Sequence, residues 1–355
     1  MRRIHVFPSW RDNPYLNMLY IGARTEGWMI DGSTTLAQLL EVLPSLGPSS
    51  ILHVHWTSPV LQEHASLTEA RAGLDAFRNS IAQAKARGVR ILWTVHNLLP
   101  HGVRYVEEEV TLRQLLRDVA DVVIQLSPST AAVVADLFPI PPEKLVTLRH
   151  ASYLGLYAQP PSRDAARDSL GVPRSSPTVG FVGQIRPYKG VDTLLGAMEK
   201  VSKTIPDVTL LLAGRASPHG VRAIDRRAPR NARVVRSHEF VPDTEIGTWF
   251  TAADVLVFPY TRILNSGSVL LSATFGRACI LPGEPHLRSE HAANRWVSFF
   301  DIGETPEESE QNLSTAILAA LAGNRHEDDA RRFAAEYVTS DMAMDFVDIL
   351  EGLEG

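Results

Sequence analysis

The run Gly180-Phe181-Val182-Gly183-Gln184-Ile185-Arg186-Pro187-Tyr188-Lys189-Gly190 sets a glycine turn and two cations between a β-like segment and a helix-like one. That arrangement suits a diphosphate. Gly183 lets the backbone approach a ligand, Arg186 can grip two phosphate oxygens, and Lys189 adds a point charge beside the positive end of the following helix. The same composition also fits an ordinary surface turn with two solvated cations. Further on, Asn265-Ser266-Gly267-Ser268 opens another helix, where Ser266 or Ser268 can cap and the free N–H groups around Gly267 can meet a second phosphate.

The first half offers different chemistry. Its first β-like run is followed by Pro8-Ser9-Trp10-Arg11-Asp12-Asn13-Pro14-Tyr15, in which Asn13 reads as an N-cap and Pro14 as the first helical residue. Asp12 is an acid in a loop where a ligand can bind, although a solvated aspartate is the plainer reading. His53, His55 and Trp56 alternate along one strand, and His96 with Asn97 ends another. A neutral imidazole at a strand end can hydrogen-bond a ligand hydroxyl or take a proton. His96 is the best single candidate. His150, near the end of this half, serves equally well as a site residue or as part of a hinge. No third ligand stands at a suitable spacing from His53 and His55, so neither a metal nor another cofactor is expected.

These residues need a frame that brings strand ends together. Short β-branched runs at Ile4 to Phe7, Ile51 to His55, Arg90 to Val95, Val122 to Leu126 and Leu145 to Leu148 alternate with helix-like segments. A second alternation places strands at Val179 to Val182, Thr209 to Ala213, Ala232 to Val235, Val255 to Phe258 and Ala278 to Leu281. This is the grammar of two doubly wound, Rossmann-like α/β domains, whose ligands sit at the carboxyl ends of the strands. The expected division is a first domain over 1–158, a linker over 159–176, a second domain over 177–335, and a helix over 336–355 that can cross back to the first domain.

Composition narrows the partners. A chain of 355 residues exceeds one ordinary core, and a formal charge of −5 supplies no basic excess for nucleic acid. The single cysteine excludes an internal disulfide framework. The N-terminal run meets Pro8 too early for a secretory leader, and no apolar stretch is long enough to span a bilayer. A cytoplasmic protein is expected, with room for peripheral membrane contact.

The 180–190 run, Leu-Leu-Ala-Gly-Arg at 211–215, Phe-Val-Pro-Asp at 240–243 and Ala-Ala-Asp-Val-Leu-Val-Phe-Pro-Tyr at 252–260 occur in the order found in family-four glycosyltransferases. The chain resembles that family and its relatives of the GT-B fold, two such domains facing a central cleft. His-Val-His-Trp and Thr-Val-His-Asn are similar to bacterial exopolysaccharide and glycolipid sugar transferases.

The resemblance implies a metal-independent transfer from a nucleotide sugar to a hydroxyl of a sugar, glycolipid or small-molecule acceptor. UDP-hexose or UDP-N-acetylhexosamine is favoured as donor, with GDP-mannose as the other choice. It further implies that Arg186, Lys189 and Arg215 lie on the donor side with Gly183. Phe240 and Val241 would meet the base, and Ser266, Gly267, Ser268 and Ser272 the phosphate and sugar. Asn13, Tyr15 and His150 would stand on the acceptor side. Two glutamates of the family pattern are replaced by Leu264 and Ser272. The surviving motif order favours retention of configuration, while inversion would require a base such as Asp12 or His96. A nucleotide-sugar epimerase and a catalytically silent binding or regulatory protein are the competing readings.

Overall fold

In the first half, apolar runs too short for helices form strands β1 (Arg3–Phe7), β2 (Met29–Gly32), β3 (Ser50–Val54), β4 (Arg90–Val95), β5 (Val122–Gln125) and β6 (Leu145–Thr147). The computed structural model, which describes residues 2–10, 12–100 and 102–354, pairs them in parallel in the order β2-β1-β3-β4-β5-β6. Strand order reverses between β1 and β3. The loops leaving those two strands therefore diverge and open a crevice at their carboxyl ends.

The second half repeats the plan with β7 (Thr178–Val182), β8 (Thr209–Ala213), β9 (Arg233–Ser237), β10 (Val255–Val257), β11 (Ala278–Pro282) and β12 (Val297–Phe300). Their order is β12-β11-β10-β7-β8-β9, again all parallel, with the reversal between β7 and β10. Central strands such as β3, β7, β8 and β11 are buried at every position, as strands covered by helices on both faces must be. Phe181, Phe250, Phe258 and Trp296 fill this second core, while Phe7, Phe77, Trp93 and Phe138 are fully buried in the first half.

The two sequence alternations correspond to two compact units. One comprises residues 1–150 with 339–355, and the other Ala151–Val338. The terminal helix Thr339–Glu354 is thus part of the first unit, where it packs on the helices Pro14–Leu19 and Ile21–Thr25. Residues 159–176, read from the sequence as linker, include the helix Arg163–Leu170 of the second unit. Their polar character has a structural explanation. Arg167 is buried, pairs with Asp254 at 2.9 Å and donates to the carbonyl of Ala252 at 3.1 Å.

Both strands that the periodicity does not reveal, β2 and β12, are edge strands of four residues. A short edge strand lacks the continuous apolar run that marks a buried one. Helix ends follow local chemistry more legibly. Asn13 Oδ1 accepts from the Tyr15 N–H at 3.0 Å, with Pro14 at the first position of its helix.

Gly190 joins the two loops at the second reversal. It begins the helix Val191–Thr204 with φ +66°, and a Cβ there would stand 1.9 Å from the carbonyl oxygen of Pro259. Both handedness and space therefore demand glycine. Gly190→Ala should destabilise the second unit by more than about 2 kcal/mol. Gly171→Ala, at the same φ but with no atom within 4 Å of the new Cβ, should lose only about 1 kcal/mol. Urea unfolding of the two variants checks the difference, and equal losses would remove the close approach as a cause.

Candidate active site

At the second reversal, the loop after β7 and the loop after β10 are tied together by the Thr261 N–H, which donates to the Tyr188 carbonyl at 2.9 Å. Arg186 is exposed, whereas Lys189 is half-buried with its Nζ 3.9 Å from the centre of the Tyr260 ring. The aromatic face holds the ammonium without neutralising it. The Tyr260 hydroxyl in turn donates to Ser268 Oγ at 3.0 Å, beside the start of the helix Gly267–Thr274. The structure thus gathers Gly183, Arg186, Lys189 and Ser268, and adds Tyr260. Cations and a helix N-terminus at one strand-order reversal form an anion-binding surface.

Ser266 stands at the N-cap, yet its hydroxyl makes no cap bond and is buried without a protein hydrogen-bond partner. Gly267 provides close approach in another way, since a Cβ there would meet the Tyr153 hydroxyl at 2.6 Å. Ser272 departs from the sequence expectation. It is fully buried and donates its hydroxyl to the Ser268 carbonyl at 3.1 Å, so its oxygen is spent inside its own helix. Leu264, at the other glutamate position, is also buried.

Along the same edge, Arg215 and Phe240 form an exposed pair, the guanidinium 5.8 Å from the ring centre. Phe240 is 62% exposed, which rules out strand packing as its role; Val241 beside it turns inward.

In the first unit, strand register gathers the histidines. His53 and His55 share a face of β3 and its continuation, and Thr94 and His96 share the neighbouring face of β4. The Tyr20 hydroxyl lies 2.7 Å from both His53 Nδ1 and His55 Nε2. His53 Nε2 is 2.8 Å from Thr94 Oγ1, and His55 Nδ1 is 3.0 Å from His96 Nε2. Burial holds all three imidazoles well below the ordinary value, and repulsion between the rings adds to it. His96 is accordingly neutral at physiological pH and a weak base.

Stacking fixes the ring of His96. Trp56 lies flat against it at 4.2 Å, Trp10 stacks on Trp56 at 4.7 Å, and Tyr15 meets the imidazole edge-on at 5.3 Å. His150 packs against Tyr15 at 4.8 Å. Tyr15, expected on the acceptor side, is instead a buried wall behind the histidines. Asn13 is engaged in capping, and Asp12 is exposed in the loop after β1.

A solvent-open recess of about 200 Å³ is lined by His55, Trp56, Thr57, His96, Asn97 and Arg113. Arg113 was not among the sequence candidates. It comes from the middle of a helix, donates to the Asn97 carbonyl at 3.1 Å and pairs with fully buried Glu109 at 3.3 Å. Thr57 donates to the same oxygen of that carboxylate, and Gln62 to the other. Tyr20 was missed for a similar reason: helical spacing marks it as core, and only the register of β3 reveals two imidazoles at its hydroxyl.

The buried histidines make stability depend on pH. Their folded values lie below the unfolded value near 6.5, so below that pH the unfolded chain binds more protons and stability falls. Each contributes at most about 1.4 kcal/mol per pH unit. Urea unfolding between pH 7.5 and 5.5 should show this loss, and His53→Gln should reduce the slope by one histidine's share. An unchanged slope would place the sensitivity elsewhere.

Residues 176–318 match the family described as Glycosyl transferases group 1. A GDP-mannose:glycolipid 4-beta-D-mannosyltransferase of Xanthomonas campestris is 26% identical over 284 residues, covering 78% of this chain and 71% of that protein. A D-inositol 3-phosphate glycosyltransferase of Segniliparus rotundus is 32% identical over 184 residues, which cover 50% of this chain and 38% of that protein. Among solved structures, Anabaena HepE in complex with UDP and glucose superposes with a TM-score of 0.74 at 12% identity, covering 99% of this chain and all of that one. Sucrose-phosphate synthase of Thermosynechococcus elongatus gives 0.73 at 17% identity, with 99% of each chain covered. The family match, the relatives and the superposed folds together make the chain a GT-B glycosyltransferase that draws its sugar from a nucleotide-sugar donor.

Proposed function

We propose that the protein transfers a hexose, mannose from GDP-mannose before others, to a hydroxyl of a saccharide or glycolipid acceptor. The observation that carries the donor side is the convergence of Arg186, Lys189 and the helix Gly267–Thr274 at the reversal between β7 and β10. As the glycosidic bond breaks, the diphosphate gains negative charge, and preorganised cations and N–H groups lower that barrier without a metal. The exposed Arg215–Phe240 pair offers a stacking surface for the base, with Val241 supplying backbone groups beside it.

The base moves from the UDP favoured on sequence to GDP because the relative covering 78% of the chain is named for GDP-mannose. The UDP-bound structures are 11–12% identical and bear on the fold. The acceptor follows the same name, and a glycolipid would bring the protein to a membrane surface. No helix among the described residues is long and apolar enough to cross one. A cytoplasmic location suits a protein whose single cysteine, Cys279, is a buried thiol.

Stereochemistry turns on the missing carboxylates. Motif order alone favours retention, but buried Leu264 and the internally bonded Ser272 supply no anchor for the donor sugar. The Xanthomonas relative is also named for a β-linked product. These observations favour inversion: the acceptor oxygen attacks C1 opposite the diphosphate, the C1–O bond breaks, and a base takes the hydroxyl proton. His96 is too weak a base for that step, which leaves exposed Asp12.

Saturating GDP should raise the melting temperature more than UDP, ADP or dTDP, since ligand at about 100 times its dissociation constant stabilises by about 2.7 kcal/mol. Equal shifts, or a larger one with UDP, would return the base to the first expectation. The Arg186→Ala, Lys189→Ala double variant should lose several kcal/mol of nucleoside diphosphate affinity, about two charge-assisted contacts; unchanged affinity would clear both of a donor role. Anomeric coupling constants of the product, read by NMR beside an α-linked donor, should report β, and Asp12→Asn should abolish transfer. An α product would restore retention.

A further inference from the structure

We propose that the second unit carries an anion site at Arg163, Arg277 and Arg325, on the edge of its sheet opposite the Lys189 loop, and that its ligand is a small dianion of the phosphate or sulfate class. The residues meet where strands begin. Asp254 and Arg277 directly precede β10 and β11, whereas Lys189 and Ser268 follow β7 and β10, so the sheet itself separates the two places. Arg277 also closes the carboxyl end of the helix Gly267–Thr274, its backbone N–H donating to the Ser272 carbonyl at 2.7 Å and its Nε to that of Phe275 at 3.3 Å. Ser268 stands at the other end of that helix.

Four guanidiniums meet two carboxylates here. Asp254 is buried and gives Oδ2 to Arg167 at 2.9 Å and to the Thr178 N–H at 2.8 Å, which leaves Oδ1 to be shared by Arg163 and Arg325, each at 3.4 Å. Glu327 gives Oε1 to both Arg163 and Arg277. Arg331 reaches Glu327 from 3.7 Å, but brings Asp328 as its own counter-ion at 3.0 Å. The cluster therefore holds two positive charges that its carboxylates do not answer. Burial pushes the Arg277 guanidinium down to about 10, and repulsion from Arg163 and Arg331 adds to it against the pull of Glu327 and Asp254.

Hydrogen bonds fall short as well as charge. Arg325 Nε is buried without a partner, and the 3.4 Å from its Nη1 to Asp254 lies beyond a hydrogen bond of normal length. The backbone is set to bring this side chain in. His326, the one non-glycine residue with a positive φ among the described residues, at +48°, turns the chain between Arg325 and Glu327, and both enter the cluster. A water can satisfy an orphaned N–H but leaves the charge as it was. A dianion answers both, since guanidinium forks match the oxygens of a tetrahedral anion. The side chains of Arg163 and Arg325 are each 29% exposed, so the cluster is open to an ion from solvent.

Thermal unfolding of the Arg186→Ala, Lys189→Ala double variant tests this, because its donor loops have lost their cations and the readout is independent of sugar transfer. Sulfate, phosphate and chloride are compared at equal ionic strength. Sulfate or phosphate at about ten times its dissociation constant should raise the melting temperature about 3 °C above that in chloride. The shift should saturate, unlike the general stabilisation by excluded salts. Adding Arg325→Gln should weaken sulfate affinity about tenfold, the worth of one charge-assisted contact. Arg325→Lys, which keeps the charge facing Asp254 and loses the fork, should weaken it several-fold and serves if the glutamine variant does not fold. A larger shift with glycerol 3-phosphate than with inorganic phosphate would support the site as one for a phosphorylated metabolite, and an equal or smaller one as a site for the free ion. A shift that does not saturate, equal shifts with all three salts, or sulfate affinity unchanged by the Arg325 substitutions overturns the proposal.

Discussion

In a parallel sheet every strand ends on the same side, and where the strand order reverses the outgoing loops must part. That single topological constraint places the chemistry of both units. In the first the Asp12 loop and the His55–Trp56 segment flank the crevice, with Trp10 stacked on Trp56, and in the second Gly183–Gly190 and the approach to Gly267 flank the other, tied by Thr261 and Tyr188. Residues remote in sequence become neighbours because the strands beneath them are hydrogen-bonded, and the loops need carry little order of their own.

The two units solve opposite electrostatic problems on one plan. Around Arg186 and Lys189 the protein keeps cations near solvent, one of them resting on an aromatic face, ready for a ligand that brings negative charge. Around His53 and His55 it removes water, so that groups able to titrate stay neutral. Arg113 is the exception that confirms the demand for balance: it enters the recess only because Glu109 enters with it.

Much of this was legible in the residues. Continuous β-branched runs give away ten of the twelve strands among the described residues, the edge strands β6 and β9 included, Asn13-Pro14 announces a helix start, and Gly183 through Gly190 reads as a glycine turn with two cations. What escaped has physical reasons. The edge strands Met29–Gly32 and Val297–Phe300 bury too little to need an apolar run, and the charges of Arg163–Leu170 look solvated until Asp254 is seen beneath them. Tyr20, Thr94 and Arg113 look like core or helix surface, and only strand register brings them to a histidine or a recess. Ser272 erred the other way. Its type suits a ligand, but a helical hydroxyl facing inward bonds to the carbonyl four residues back.

The stacking of Phe346 on His53 has a bearing on how the protein is made. The first unit takes its strands from the first 150 residues but its sealing ring from a helix that begins at Thr339. On the ribosome, those strands and their histidines emerge while the residue that covers them is still nearly two hundred codons from translation. Until it arrives, His53 and Tyr20 lie against water, where imidazoles hydrate and titrate freely. The intervening unit, a compact body within Ala151–Val338, can complete its fold in that interval. Chain synthesis thus orders the assembly: the second unit matures first, and the first gains its dry interior only when the last helix docks.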